Sequence, residues 1–298
     1  MQVSIIMVNF NTSVLLLQSI DSIYEKVQGV EYEIIVADNC SKEEQRRLLR
    51  NDNRFQLIEL PENLGFGQAN NVAAKQAKGE CLFLLNPDTK LMNDAVSILY
   101  NYMQKHQETG ICGGNLFDGD MKPTHSFHRL FPGFLSELDF ATGQIYRRLR
   151  FGKNSQFNYT SHTLPVAVIT GADLMIRHSV WNLTKGFDPD FFMYYEDTDL
   201  CKRCIEHNYN IVSVPSAHIQ HLEGKSFTES KGHCERNLHG RFTYFTKHHS
   251  PFYNKLTNLM NVCSLAMASL IFLCLGKGAM SKKYSQRLEV YKDLCNKT

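Results

Sequence analysis

The chain has 298 residues, 43% of them apolar and 21% charged, enough to bury a large core without disulfide staples. Its formal charge of +2, from 32 Lys and Arg against 30 Asp and Glu, excludes a nucleic-acid partner held by a global basic field. Nine cysteines without repeated spacing, and a start that runs straight into an apolar stretch, imply reduced thiols in a cytoplasmic setting.

Strands and helices alternate through the first third, the pattern of a mostly parallel sheet with helices on both faces. Val3 to Val8 is an apolar run ending at Asn9-Phe10-Asn11, and Thr12 or Ser13 can cap a helix carrying Leu16, Ile20 and Ile23 at helical spacing. Tyr32 to Ala37 is a second strand stopped by Asp38-Asn39-Cys40-Ser41, and Ser41 with Glu44 has the spacing of a capping box. Phe55 to Leu60 is a third strand. The segment Asn63-Leu64-Gly65-Phe66-Gly67 then turns into a helix through about Lys78, and Glu80 to Leu85 is a fourth strand ending at Asn86-Pro87-Asp88.

A helix at 94–105 and a short strand at 111–114 follow. From Phe117 to Thr163 the pattern dissolves into an irregular insert or lid that includes Arg147-Arg148-Leu149-Arg150. Order returns with strands near Leu164 to Ile169 and Leu174 to Arg177, a helix over Thr198 to His207, and a strand from Ile211 carrying His218 and His221 beyond it. Cys201 and Cys204 form a C-x-x-C pair without a second pair, read as buried helix thiols of structural role.

Polar tips recur just beyond the carboxyl ends of strands, where open α/β sheets bind ligands. Asp88 is placed to hold Mg²⁺ or Mn²⁺ against phosphate oxygens, although Asn-Pro-Asp alone also suits a simple turn. Glu196-Asp197 could take a proton from an alcohol, although acids at a helix start also serve the macrodipole. His221 could ligate a metal, and Glu223-Gly224-Lys225-Ser226 could donate hydrogen bonds to a diphosphate. Gly65-x-Gly67 is not a dinucleotide fingerprint, and no P-loop motif occurs.

Eight segments in order resemble family 2 glycosyltransferases of the GT-A fold, especially bacterial rhamnosyltransferase-like members. They are Val8 to Asn11, Val36 to Ser41, Asn63 to Asn70, Asn86-Pro87-Asp88, Thr170-Gly171-Ala172, Gly186 to Phe192, Glu196 to Leu200 with Arg203, and His221 to Ser226. The resemblance implies a nucleotide-sugar site at Val8, Asn9, Asp38, Asn63, Gly65, Asn70, Asn86 and Asp88, with Asp38 hydrogen-bonded to a pyrimidine base. It implies a divalent ion (Mn²⁺ or Mg²⁺) on Asp88 and His221, an acceptor side at Gly171 and Ala172, and Asp197 as general base with Glu196 beside it. Asn86 stands where the family's D-x-D element has its first acid, and the acid pair leaves the microscopic base assignment open. The implied reaction inverts configuration and moves a sugar, rhamnose from dTDP-rhamnose first or a hexose from a UDP-sugar, to a saccharide or lipid-linked saccharide. Rhamnosyltransferase-like relatives build surface polysaccharide.

The expected organisation is a catalytic domain at 1–250, with 117–163 as its insert, and a C-terminal helical extension at 251–298. Leu259 to Leu275 is a mostly apolar stretch with cationic flanks, expected to lie in a membrane interface, with a span or a protein-packed helix as alternatives. That places the chain at the cytoplasmic face of the inner membrane, where a homo-oligomer is also compatible. Two rivals are a sugar nucleotidyltransferase, which would carry a glycine- and basic-rich loop after the first strand, and a silent sugar-nucleotide-binding scaffold.

Overall fold

A computed structural model describes residues 1–222 and 231–295. In chain order the elements are β1 (Val3–Asn9), α1 (Ser13–Lys26), β2 (Tyr32–Asp38), α2 (Glu43–Arg50), β3 (Gln56–Glu59), α3 (Phe66–Ala74), β4 (Cys81–Leu85) and β5 (Thr89–Leu91). Then come α4 (Ala95–Lys105), β6 (Thr109–Phe117), β7 (Phe127–His128), α5 (Phe134–Ala141), α6 (Ile145–Phe151), β8 (Leu164–Pro165), β9 (Val168–Ile169) and β10 (Asp173–Arg177). Last are α7 (His178–Thr184), α8 (Glu196–Glu206), β11 (Asn210–His221), α9 (Lys231–His248), α10 (Pro251–Cys274) and α11 (Gly278–Cys295).

Two compact units emerge: Met1–Arg129, Lys153–Phe192 and Glu196–Ser226 form unit 1, and Leu130–Gly152, Met193–Tyr195 and Phe227–Thr298 form unit 2. Unit 1 is built on a nine-stranded sheet in the order β3-β2-β1-β4-β10-β6-β11-β5, with β8 beside β11. The strands β3, β2, β1, β4, β6 and β11 share one direction, while β10, β5 and β8 run against their neighbours. β1 and β4 are buried at every position, so both faces of the sheet are covered. One face of β1 (Val3, Ile5, Met7) joins Leu16, Ile20 and Ile23 of α1 and Leu99 and Met103 of α4 in the main apolar cluster. This is a mixed, mostly parallel α/β architecture, as the sequence leads one to expect.

Strand direction decides where chemistry can gather. Because β10 and β5 run against the rest, their first residues reach the same edge as the last residues of β1, β2, β4 and β11. The pairs Asn9↔Asp38, Leu85↔Asp173 and Thr89↔His221 record that edge.

Several local expectations change. Ser41 does not cap α2, which begins at Glu43 with Lys42 before it and no side-chain cap; the Ser41 hydroxyl instead accepts from the Asn11 amide (2.9 Å). The helix after Gly65 ends at Ala74, short of Lys78. The 111–114 strand extends to nine residues, and the one carrying His218 and His221 to twelve. The stretch 117–163 is not irregular throughout, since it contains β7, α5 and α6. Nor do the units part at 250/251: α9 falls with α10 and α11, and residues 130–152 join them.

Unit 2 is helical, with a polar centre beside a small apolar cluster of Leu238, Leu265, Val290 and Tyr291. The Arg241 guanidinium, 3% exposed, donates to Glu137 (3.0 Å), Asn258 (2.9 Å) and Tyr291 (2.9 Å). Asn261 donates to the other Glu137 oxygen (2.9 Å). These bonds join α5, α9, α10 and α11 around a buried ion pair.

Candidate functional site

The sheet's carboxyl edge in unit 1 carries the site. At its β1–β2 end, Asn9 and Asp38 are both fully buried. The Asn9 amide donates to Asp38 Oδ1 (2.8 Å), while Asp38 Oδ2 accepts from the Ser41 amide (3.1 Å) and Arg46 Nε (2.8 Å). Asp38 therefore reaches its surroundings through the loops it holds. Asn11 and Cys40, both at positive φ, turn those loops sharply outward, and Val8 lies buried beneath them. Arg46, which the sequence did not single out, compensates the buried carboxylate; its position a helical turn into α2 was the only signal.

Asn63, Gly65 and Asn70 shape the adjoining wall. Asn63 Oδ1 accepts from Asn39 Nδ2 (2.9 Å) and from the Gly65 amide (3.0 Å), and Asn39 in turn accepts from the Leu64 amide (2.8 Å). Gly65 has φ +82°, and a Cβ there would run into the Phe192 carbonyl oxygen, so only glycine fits. Asn70 closes on the Phe66 carbonyl (2.9 Å) within α3. Asn71 pins the Gly186 to Phe192 run by exchanging hydrogen bonds with Phe187 (2.8 and 2.9 Å).

Asn86, Asp88 and His221 lie together. Thr89 pairs with His221 in the β5–β11 ladder, which brings Asp88 Oδ1 within 3.3 Å of His221 Nε2. Asn86 Nδ2 lies 3.4 Å from the same nitrogen. Neighbouring ligands on an octahedral Mg²⁺ or Mn²⁺ sit roughly 3 Å apart, so this carboxylate–imidazole spacing fits two positions of one ion. Among the described residues no group of three or more His, Cys, Asp or Glu gathers to hold a metal. The Glu223-Gly224-Lys225-Ser226 stretch lies outside the described residues.

The acid pair joins this cluster through the backbone. Asp197 Oδ2 accepts from the Gly171 amide (3.1 Å), and the carbonyl of Ala172 accepts from the Asn86 amide (3.0 Å). Asp197 Oδ1 accepts from Thr198 N (2.6 Å) and Oγ1 (3.1 Å). Gly171 leaves room for Phe66, whose ring would lie 3.2 Å from an added Cβ. Just before the pair, Tyr194 (φ 73°) and Tyr195 (φ 70°) occupy the left-handed region, a costly run for two non-glycine residues and one that occurs mainly at functional sites.

Environment separates the two acids. Glu196 is buried, and its Oε2 has no hydrogen-bond partner among the described residues. Burial, then the charge of Asp197, pushes Glu196 up to about 8. Burial also raises Asp197, opposed by the Gly171 and Thr198 donors. Burial thus favours the proton on Glu196, while the Gly171 and Thr198 donors favour the charged form of Asp197. Asp173, missed in the sequence, is fully buried at the start of β10 and accepts from the Gly114 amide (2.6 Å); burial lifts it well above the carboxylate range. Asp199 is structural, paired with Arg203 (2.6 Å). Cys201 and Cys204 are buried in α8, and burial pushes the Cys204 thiol up to about 12, so neither supplies a thiolate at neutral pH.

Residues 4–172 match the family described as Glycosyl transferase family 2. A low-salt glycan biosynthesis hexosyltransferase of Haloferax volcanii is 27% identical over 237 residues, covering 76% of this chain and 70% of that one. An N-acetylglucosaminyl-diphospho-decaprenol L-rhamnosyltransferase of Mycobacterium tuberculosis is 26% identical over 218 residues, covering 65% and 67%. Among solved structures, a mannosyltransferase from Pyrobaculum calidifontis in complex with GDP-Man and Mn²⁺ superposes with a TM-score of 0.62 at 16% identity, over 97% of this chain and 84% of that one.

Proposed function

The chain belongs to glycosyl transferase family 2, and on that premise we propose that it is an inverting, metal-dependent enzyme moving a sugar from a nucleotide diphosphate to an acceptor hydroxyl. The observation that carries this reading is the hydrogen-bonded path from Asp197 through Gly171 and Ala172 to Asn86, beside Asp88 and His221. That path supports a reading in which a proton acceptor on α8 stands near a diphosphate-binding pair at the sheet edge. Asp197, whose charged form the Gly171 and Thr198 donors favour, takes the acceptor's proton as the acceptor oxygen attacks the anomeric carbon. Gly171 and Thr198 orient the carboxylate. A single displacement needs no covalent enzyme nucleophile, and the configuration inverts.

Asp88 and His221 would hold a divalent ion, with diphosphate oxygens and water as its other ligands. When bound, the ion neutralises charge that builds on the departing diphosphate. Asn86 faces the donor beside them. The Val8-Asn9 and Asp38 loops with Asn63, Gly65 and Asn70 form the nucleotide end, and Gly171-Ala172 lines the acceptor side.

dTDP-rhamnose is the favoured donor, ahead of UDP-hexoses, with a lipid-linked saccharide as acceptor; the L-rhamnosyltransferase and hexosyltransferase relatives support this. Such an acceptor fits an enzyme attached to the cytoplasmic face of a membrane through its C-terminal helices. A panel of nucleotide sugars scored for thermal stabilisation with and without Mn²⁺ tests the donor, and NMR of the product's anomeric proton tests inversion. Retained configuration in the product would refute the single displacement.

A further inference from the structure

Two helices of unit 2 turn polar groups inward and leave much of their apolar surface exposed. In α5 the buried residues are the acids Glu137 and Asp139, held by Arg241 (3.0 Å) and Arg147 (3.1 Å), whereas Phe134, Leu135, Leu138 and Phe140 are exposed. In α10 the inward positions are Leu265, packed with Leu238, Val290 and Tyr291, together with Thr257, Ser264 and the Asn258 and Asn261 amides of the Arg241 network. Its exposed positions are Phe252, Leu256, Leu259, Cys263, Met267, Leu270 and Cys274, spaced three or four apart as one continuous stripe. α5 and α10 pack against each other, and the Tyr253 hydroxyl accepts from the Phe134 amide where both helices begin. In water, apolar burial selects the opposite orientation for each helix. This surface suits a medium that is not water.

Charge names that medium. Unit 2 carries 14 Lys and Arg against 6 Asp and Glu, a formal +8, whereas unit 1 carries 18 against 24, a formal −6. The near-neutral total conceals a basic helical unit. Arg148 and Arg150 are exposed on α6 directly after α5, and Lys277 and Lys282 are exposed just past the end of α10. Exposed apolar side chains bordered by cations complement an anionic bilayer surface.

We propose that α5 and α6, from the stretch the sequence reads as an insert, form with α10 a single lipid-docking face that holds the protein on an anionic leaflet without crossing it. The inference deepens the proposed membrane contact and rests on it. At 24 residues α10 is long and apolar enough to cross. It is nevertheless bound along its length to charged neighbours. Its first half is tied to the Glu137–Arg241 pair, and its second half packs antiparallel on α11 through Ser269 to Ser281 and Ser285 and through Phe272 stacked on Tyr284. α11 bears Lys282, Lys283, Arg287, Glu289, Lys292 and Asp293, so spanning would carry those charges into hydrocarbon.

The full chain is floated with vesicles of phosphatidylcholine alone and of equal parts phosphatidylcholine and phosphatidylglycerol. The wild type is expected to partition onto the anionic vesicles about tenfold more strongly than onto the neutral ones. Leu135→Glu with Leu138→Glu should lower that partition about tenfold or more, with an unchanged melting temperature and unchanged nucleotide-sugar binding. Leu259→Glu with Leu270→Glu should do the same. If only the α10 pair matters, membrane contact stands and the α5 share is refuted. If the wild type ignores both vesicles, the membrane reading itself fails. A lipid-free dimer split by the α5 substitutions, with vesicle binding intact, would assign the face to a second copy instead. Protease protection of a tail beyond α10 in sealed vesicles would show a span and overturn the in-plane placement.

Discussion

Glu196→Gln tests the electrostatic core of the site. Burial lifts Glu196 from an ordinary 4.5 to about 8. In the unfolded chain the carboxyl loses its proton near 4.5; in the folded protein it keeps it until about 8. Its contribution to stability is therefore fully present below about 4.5 and is lost as pH rises through about 8. A gap of about 3.5 pH units, at about 1.4 kcal/mol each, corresponds to on the order of 5 kcal/mol. Gln keeps the shape of the neutral acid and cannot ionise. Urea unfolding of both proteins at several pH values between about 5 and 8 should give a difference that grows by roughly 1.4 kcal/mol per pH unit, in favour of the variant at high pH. Taking the difference cancels most other titrations. A flat difference across that window would mean that Glu196 ionises as an exposed acid does, and the assignment of Asp197 as the sole base would lose its physical ground. The variant should also retain most of its transferase activity, because the neutral acid it mimics is the form present at pH 7.

Asp197→Asn should cut turnover by about a thousandfold while leaving donor affinity within a few-fold, by isothermal titration; comparable turnover would reject it as base. Wild-type turnover should rise with pH along a limb lying above the ordinary carboxylate range, since burial raises Asp197. Asp88→Ala should weaken nucleotide-sugar binding in Mn²⁺ but not in chelator, and equal affinities in both would remove Asp88 from the ion's site. Gly65→Ala should cost about 3 kcal/mol or more in thermal unfolding, because a side chain at φ +82° would also collide with the Phe192 carbonyl; a melting temperature unchanged from wild type would contradict that packing.

Much of the site was legible because its parts are local. Asn86-Pro87-Asp88 and Glu196-Asp197 are short polar tips on apolar elements, which their residue types mark without coordinates. Other parts are not local. The Arg46 partner of Asp38 and the Asp173 carboxyl beneath the edge depend on pairings that no spacing along the chain records. Ser41 had the right spacing for a cap, yet its hydroxyl serves the loop after β1. The insert misled for a physical reason: α5 buries Glu137 and Asp139 and exposes its apolar residues, reversing the pattern by which helices are recognised.

The sequence alone determined the alternating apolar strands, the polar tips that end them and the order of the family's segments, since these follow from side-chain type and local backbone preference. Only the tertiary structure decided that β10 and β5 would run against the sheet and bring Ala172, Asp173 and Asp88 to the edge where β4 and β11 end. It alone also decided how differently the two adjacent acids are held, because that depends on which carboxyl oxygens find donors once the chain has closed around them.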